Sequence, residues 1–241
     1  MKALFIGVHI DDCEAYGDIA HLLIEKGVEV TFLNLKHYRH FEGPNPEVNA
    51  KSMKLAEILG AKKIILDYDG PKYFKATDEI TRAAEQVIRD EKPDIMFIQH
   101  PQDNHIEHIE SAKVARDAIF AASVDGVFPN EIYSYECGAK QTMAFFKPDF
   151  YINVSDCLDI MEACHAPLNI NHANGANLTR RNKIAAQYRG MACDFDYAKG
   201  LKIIKYPNRN NDFLLKQLLN DRWCWAGDNM YYPGSELFFN L

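Results

Sequence analysis

Long apolar runs and an excess of basic residues are both missing from this sequence. No apolar run approaches the roughly 20 residues that a membrane-spanning helix needs. The 241 residues carry 27 Lys and Arg against 34 Asp and Glu, for a formal net charge of −7. Because a nucleic-acid-binding surface neutralises phosphates with basic side chains, this balance disfavours a nucleic-acid partner. We therefore expect no membrane span and no nucleic acid among its partners.

The cysteines lack the spacing of a disulfide scaffold, and no two of them form a CxxC pair. The six are scattered along the chain: Cys13, Cys137, Cys157, Cys164, Cys193 and Cys224. Disulfide scaffolds are smaller and denser in cysteine, so we expect free thiols in a reducing cytoplasm. The start, MKALFIGVHIDD, lacks the small-residue cleavage site of a signal peptide and meets acids at once. It predicts a first strand.

Repeats, low-complexity tracts and Ser/Gly/Pro linkers are absent too, so we predict one domain over residues 1–241. In the first half, apolar runs at 2–9, 28–35, 62–68 and 93–100 alternate with helical patterns at 13–27, 45–60, 76–92 and 106–123. The second half predicts strand within 142–156, helices at 155–166 and 177–200, and a last strand at 201–206. This alternation predicts an α/β, Rossmann-like three-layer fold, with a mostly parallel sheet covered by helices on both faces.

Imidazoles and carboxylates cluster directly after two of the predicted strands. The first cluster is His9, Asp11 and Asp12, and the second, in QHPQDNHIEHIESA, is His100, Asp103, His105, Glu107 and His108. Ligands of parallel sheets bind beyond the carboxyl ends of the strands, so both clusters are expected at one edge. Three such side chains with an open position are the ligand set of catalytic zinc. Either motif alone is weak evidence; their shared edge is a stronger indication.

Both motifs resemble those of a known family. HIDD (His9 to Asp12) is similar to the HPDD motif of the LmbE-like (PIG-L) zinc-dependent N-deacetylases, and HIEH (His105 to His108) is similar to their HPDH motif. The segments LAEILGAKKIILDYDG, KPDFYINVSDCLDIMEAC and YRGMACDFDYAKGLKII also resemble family segments in the same order. The resemblance covers nearly the whole chain.

The resemblance implies a role for each matching residue. His9, Asp12 and His108 would bind zinc, Asp11 would be the general base, and His105 would stabilise or protonate the tetrahedral intermediate. Glu107 would orient His105 or His108 from behind. Imidazole and carboxylate ligands accept several divalent ions, so Fe²⁺ stays an alternative to Zn²⁺.

Some positions depart from the family pattern. Ile10 stands in place of a proline, Glu107 in place of an aspartate, and Asp18 after Gly17 in place of a second glycine. Lys51 lies near the position of a family glutamate on the second helix. These changes are expected to shape the substrate pocket and to leave the metal ligands intact.

Other residues have two interpretations. Cys13 is expected to be a packing residue, since it faces away if Asp12 binds a metal. Asp103 and His100 follow the fourth strand, where they either end it or join the site. Arg189 is expected on a solvated helix face, with a substrate contact as the alternative. His165 is expected at the surface, with the pocket as the alternative.

The function that these observations predict is removal of an acetyl or other acyl group from a small N-acylated amino sugar conjugate, with N-acetylglucosamine as the model. A hydrolase of a non-sugar amide and a non-catalytic binding protein are the alternatives. A nucleotide-binding module is disfavoured because acids in GVHIDDCEAYG replace a glycine-rich phosphate loop. The resemblance and the aromatic-rich end at 222–241 also predict a homo-oligomer.

Overall fold

The computed structural model describes residues 1–37, 39–40, 43–44, 46–68, 73–137, 146–169, 178–206 and 212–226. Its strands are β1 (Lys2–Gly7), β2 (Glu29–Asn34), β3 (Arg39–His40), β4 (Gly43–Pro44), β5 (Lys62–Ile65), β6 (Ile95–Gln99), β7 (Glu131–Tyr135), β8 (Phe150–Asn153), β9 (Ala198–Lys205) and β10 (Trp223–Trp225). Its α-helices are α1 (Gly17–Glu25), α2 (Pro46–Leu59), α3 (Asp78–Glu91), α4 (Ile106–Val124), α5 (Leu158–Asn169), α6 (Leu178–Gly190) and α7 (Leu214–Leu218).

Eight of these strands form one mixed sheet, in the order β10-β8-β9-β7-β6-β1-β2-β5. The five strands from β7 to β5 are parallel, whereas β9 runs antiparallel to β7 and β8, and β10 runs antiparallel to β8. The short strands β3 and β4 pair separately. The predicted fold class, with its mostly parallel sheet, is confirmed.

Both faces of the sheet are buried, because side chains of the central strand β1 alternate between two cores. Phe5 belongs to the core on one face and Leu4 to the core on the other. The first core also contains apolar side chains of α1, α5 and α6, and the second contains those of α3 and α4. Phe5 stacks on Phe97 of β6 with the ring centroids 4.2 Å apart. The predicted three-layer arrangement is therefore present.

Helix boundaries follow local signals where the sequence supplies them. The Thr77 side chain accepts the backbone N–H of Ile80 at the start of α3, at 3.3 Å, which is a standard N-terminal cap. Gly27 and Gly60 follow α1 and α2 with φ of 78° and 77°, a conformation that favours glycine after a helix. These three features match the predicted ends of the first helices.

In the second half, one predicted helix is too long and two strands were not predicted. The helix predicted over 177–200 ends at Gly190, and β9 already begins at Ala198. A Cβ at Gly190 would lie 2.3 Å from the carbonyl oxygen of Phe195, so the close return of the chain requires glycine there. Strands β7 and β10 were not predicted. Part of the predicted strand region, 142–145, and most of the aromatic end, 227–241, lie outside the described residues.

The six cysteines all lie in described segments, and all are free and buried, as expected for a chain without a disulfide scaffold. None of the helices in the described part of the chain is long and apolar enough to cross a bilayer. The single domain over 1–241 stays a prediction.

Candidate metal centre

Two neighbouring strands bring the two predicted clusters together. β1 and β6 pair in parallel register, with Ile6 opposite Ile98. His9 and Asp12 lie in the turn after β1, whereas His108 lies in the first turn of α4, which follows the loop after β6. The carboxyl ends of adjacent parallel strands open on one edge, so segments that are nearly a hundred positions apart meet there.

His9, Asp12 and His108 present one ligand atom each within 4.8 Å of one another. His9 Nδ1 lies 3.2 Å from Asp12 Oδ2, and His108 Nε2 lies 3.5 Å from Asp12 Oδ1. Two imidazole nitrogens and one carboxylate oxygen match the donor types of catalytic zinc sites. These residues therefore fit a divalent cation.

Three groups hold the Asp12 carboxylate. The backbone N–H of His9 and the side-chain amide of Gln99 both donate to Oδ2, at 2.6 and 2.9 Å. The thiol of Cys137 donates to Oδ1 at 3.1 Å. Gln99 is fully buried and also accepts the N–H of Val8 at 3.1 Å. The sequence analysis did not identify Gln99 or Cys137: Gln99 opens the stretch QHPQDNHIEHIESA but is neither an imidazole nor a carboxylate, and Cys137 lies outside both clusters.

Asp103 supports His108 from behind. Its Oδ2 lies 2.7 Å from Nδ1 of His108, and its Oδ1 accepts the backbone N–H of His105 at 2.8 Å. A carboxylate on the second ring nitrogen fixes the tautomer and orientation of a metal-binding histidine. This contact leaves Nε2 of His108 directed at Asp12.

Glu107 supports His9 rather than His105 or His108. Its Oε2 lies 2.8 Å from Nε2 of His9. Its Oε1 accepts the backbone N–H of Phe74 at 2.6 Å and pairs with the ammonium of Lys36. Glu107 therefore orients a histidine, as expected, but the histidine is His9, which follows β1, and not His105 or His108. Lys36 was not identified from the sequence.

The two predicted catalytic residues lie beside these ligands. The His105 ring stacks on His108 with centroids 4.3 Å apart, and it meets His9 edge-on at 5.2 Å. Its Nδ1 is buried and has no hydrogen-bond partner among the described residues. Asp11 is half-buried in the turn that carries His9 and Asp12. The general-base role of Asp11 and the role of His105 stay predictions.

The electrostatics of the centre favour a cation. Burial alone lowers the pKa of His9, but the charge of Asp12 and hydrogen bonds to Asp12 and Glu107 raise it to about 10. Burial also lowers the pKa of His108, but the charge of Asp12 and hydrogen bonds to Asp103 and Asp12 raise it to about 9. For Asp12, burial is outweighed by both imidazoles, so the pKa of its carboxyl falls well below the ordinary value. Without a metal, protons on His9 and His108 supply the positive charge that the carboxylates of Asp12, Asp103 and Glu107 stabilise.

His105 behaves in the opposite way. Burial, together with the neighbouring charges of His108 and His9, lowers its pKa. His105 is therefore a neutral imidazole near pH 7, with one N–H to donate and one lone pair to accept.

Arg189 and His165 lie elsewhere than expected, and Asp18 forms a buried ion pair. Arg189 is only 6% exposed, not on a solvated face, and it binds both oxygens of Glu136 at 2.7 and 2.6 Å. Asp18 is buried, 3.5 Å from Nζ of the buried Lys199, and its effect on the substrate pocket stays a prediction. His165 is buried on α5 and not at the surface.

Two residues lie outside the ligand set. Cys13 packs in the core with its thiol toward the carbonyl oxygens of Phe5 and Leu33, at 3.7 and 3.8 Å. His100 is buried, and its Nδ1 lies 3.1 Å from the hydroxyl of Ser134. Its position at the end of β6 fits a structural role.

Known proteins that are similar to this chain include a deacetylase. No family model matches the chain. The diacetylchitobiose deacetylase of Thermococcus kodakarensis is 26% identical over 177 residues, which are 66% of this chain and 66% of that protein. The aligned part of the chain thus spans slightly less than two thirds of that curated relative.

Solved structures show the same fold. The N,N'-diacetylchitobiose deacetylase of Pyrococcus horikoshii is 19% identical, with a TM-score of 0.66 over 84% of this chain and 83% of that chain. GalB, the 4-carboxy-2-hydroxymuconate hydratase of Pseudomonas putida KT2440, is 20% identical, with a TM-score of 0.69 over 88% of this chain and 99% of that chain. At such identities the likeness concerns the fold, which hosts more than one reaction.

Proposed function

Because this chain belongs to the LmbE-like (PIG-L) family, we propose that it is a metal-dependent hydrolase that removes an acetyl or other acyl group from a small N-acylated amino sugar. The observation that carries the proposal is the convergence of His9, Asp12 and His108 within 4.8 Å. The deacetylase activity of the Thermococcus relative supports the reaction class.

His9, Asp12 and His108 would hold the cation, which when bound supplies Lewis acidity toward the substrate carbonyl and toward water. Zn²⁺ is the first candidate for this position and Fe²⁺ the second, since the same donor types accept both. Asp103 would hold the ring of His108 and Glu107 the ring of His9, so that Nε2 of His108 and Nδ1 of His9 face the cation on the side of Asp12.

Asp11 takes a proton from the attacking water in this proposal. It lies in the same short turn as Asp12, so one carboxylate holds the cation while its neighbour is available as a base. His105 is neutral, and it therefore stabilises the developing oxyanion by donating its ring N–H. The proton that Asp11 takes from water would then pass to the leaving amine: His105 would accept it on its free ring nitrogen and release a proton to the amine, so that Asp11 and His105 both return to their starting forms.

The sugar substrate is favoured over a non-sugar amide by where the departures from the family pattern lie. Asp18 is buried against Lys199, and Lys51 pairs with the exposed Glu47 along α2. Both charges are engaged away from the ligand cluster, so neither argues for a different substrate class. A merely binding protein would have no need of a half-buried base beside a cation site.

Acetate release from N-acetylglucosamine and from diacetylchitobiose tests the proposal. Wild-type protein loaded with zinc or iron(II) is expected to release acetate, and Asp11→Asn is expected to lose this activity while retaining the metal. Glu57→Gln, an exposed carboxylate on α2, is the matched control and keeps full activity. A folded protein that binds metal but releases nothing from either sugar would refute the proposed function.

A further inference from the structure

Two overlapping sets of donors share His9 at this edge of the sheet. The first is His9, Asp12 and His108, and the second is His9, His105 and Glu107; the ligand atoms of each set lie within 4.8 Å of one another. Two imidazoles and a glutamate are themselves a zinc-binding combination. Some feature of the structure must decide which set binds.

The tautomer of His9 distinguishes the two sets. Nδ1 of His9 faces Asp12 at 3.2 Å, and Nε2 faces Glu107 at 2.8 Å. A neutral imidazole has one N–H and one lone pair. If Glu107 accepts a hydrogen bond from Nε2, the lone pair is on Nδ1 and points to the first set. If Glu107 becomes a metal ligand, that hydrogen bond is lost.

Lys36 contacts the carboxylate on which this choice depends. It lies just after β2, where its backbone N–H donates to the carbonyl of Val8 at 3.2 Å. Its ammonium pairs with Oε1 of Glu107, and the same oxygen accepts the N–H of Phe74. The Lys36 side chain is 16% exposed and that of Glu107 is 10% exposed. Because the pair is shielded from solvent, salt weakens its attraction little.

We propose that Lys36 is a positioning residue that keeps Glu107 as the hydrogen-bond acceptor of His9 and thereby directs the cation to His9, Asp12 and His108. This inference rests on the proposed metal dependence. The ammonium has two effects: it supplies the positive charge that Glu107 would otherwise take from a metal, and it repels a divalent ion from the second set. Removing it frees Glu107 to become a ligand.

A neighbouring pair provides the matched control. One turn further along α4, Glu110 accepts the N–H of Ala76 at 2.9 Å and pairs with Lys75 at 3.3 Å. This pair fixes the same loop on the same helix, but it contacts none of the ligands. Lys75→Met therefore reproduces the loss of a lysine–glutamate pair without freeing a donor of the centre.

Cobalt(II) is the probe, because its visible spectrum reports the number and type of its ligands. Wild-type protein, Lys36→Met, Lys36→Arg, Lys75→Met and the double variant Lys36→Met/Glu107→Gln are each titrated with Co²⁺. We expect wild type and Lys75→Met to give the same spectrum. Lys36→Met changes the position and intensity of the bands, because His105 and Glu107 enter the ligand set in a different geometry, and Lys36→Arg restores the wild-type spectrum.

The double variant decides between a change of ligand and a general loosening of the site. A glutamine at position 107 cannot bind the ion as a carboxylate does, so the double variant is expected to return to a wild-type-like spectrum. An unchanged spectrum in Lys36→Met, or a shift that persists in the double variant, overturns the role of Lys36 alone. Failure of wild type to bind Co²⁺ at all would overturn the proposed metal dependence as well.

Discussion

Metal binding at this centre is expected to release close to two protons at pH 7.5. The pKa values of His9 and His108 are raised to about 10 and about 9, so both rings are almost fully protonated in the metal-free protein. Both must be neutral to bind a cation. Two histidines with the ordinary pKa of about 6.5 would together release only roughly 0.2 proton at this pH. The raised values therefore change the expected count about tenfold.

Isothermal titration calorimetry with Zn²⁺ in buffers of different ionisation enthalpy measures this number directly. The apparent affinity should also rise about 100-fold per pH unit below pH 8, because two protons compete with the ion. His21→Asn is the control, since His21 pairs with Glu25 on α1, away from the centre. Release of less than one proton at pH 7.5 would refute the argument that the neighbouring carboxylates keep His9 and His108 protonated in the metal-free protein.

The same shifts predict how the metal-free protein responds to pH. Because both pKa values are raised on folding, the stabilisation from His9 and His108 is fully present below about pH 6.5. It declines above that pH and is gone once pH passes about 9 and then about 10. Urea midpoints of chelator-treated protein should therefore fall over this window, whereas an unaltered midpoint from pH 6.5 to 10 would contradict the shifts.

Three substitutions test the fold, each by urea denaturation. Gly190→Ala should cost about 1–3 kcal/mol, since its Cβ would lie 2.3 Å from the Phe195 carbonyl oxygen; an unchanged midpoint would show that the return of the chain can relax. Lys63→Met should cost about 3 kcal/mol by leaving the fully buried Glu14 unpaired, and Lys63→Met/Glu14→Leu should recover most of it. Thr77→Ala should cost about 1 kcal/mol by removing the cap of α3; no loss would mean that water replaces the cap.

Strands β1 and β6 were predictable because each is an apolar run, broken in β1 only by Lys2 at its start and in β6 only by Gln99 at its end. Such runs are the pattern of strands buried on both faces. Polar residues follow each run at its carboxyl end. The same polarity change marked the position of the ligand cluster. Local sequence and the topology rule were sufficient here.

β7 was missed because its burial depends on distant partners. Its sequence, EIYSY, contains a glutamate and a serine, yet every residue is buried. Glu131 is stabilised there by the hydroxyl of Tyr133 at 2.8 Å and by backbone N–H groups at the start of α7, among them that of Leu215 at 3.1 Å. A buried carboxylate is acceptable only when such donors are present, and they lie more than 80 positions further along the chain.

The supporting residues of the centre were missed for a similar reason. Gln99 and Lys36 each touch the cluster through a single long-range contact, to Asp12 and Glu107 respectively. Gln99 lies beside the second cluster but has neither an imidazole nor a carboxylate, and nothing near Lys36 in the sequence marks its contact. The ligands could be named because they occur in motifs, whereas their supports occur singly. The burial of Arg189 was also not predictable, because its partner Glu136 lies 53 positions away in the sequence.

The pairing of β1 with β6 places the candidate metal centre where two distant segments of the chain meet. When β1 and β2 emerge from the ribosome they can pair at once, but the other edge of β1 stays open until residues 95–99 have been made. The cost of closing this loop is entropic and must be met before any contact between the two strands forms. A cation held by residues of both segments would therefore join β1 and β6 only after the loop has closed.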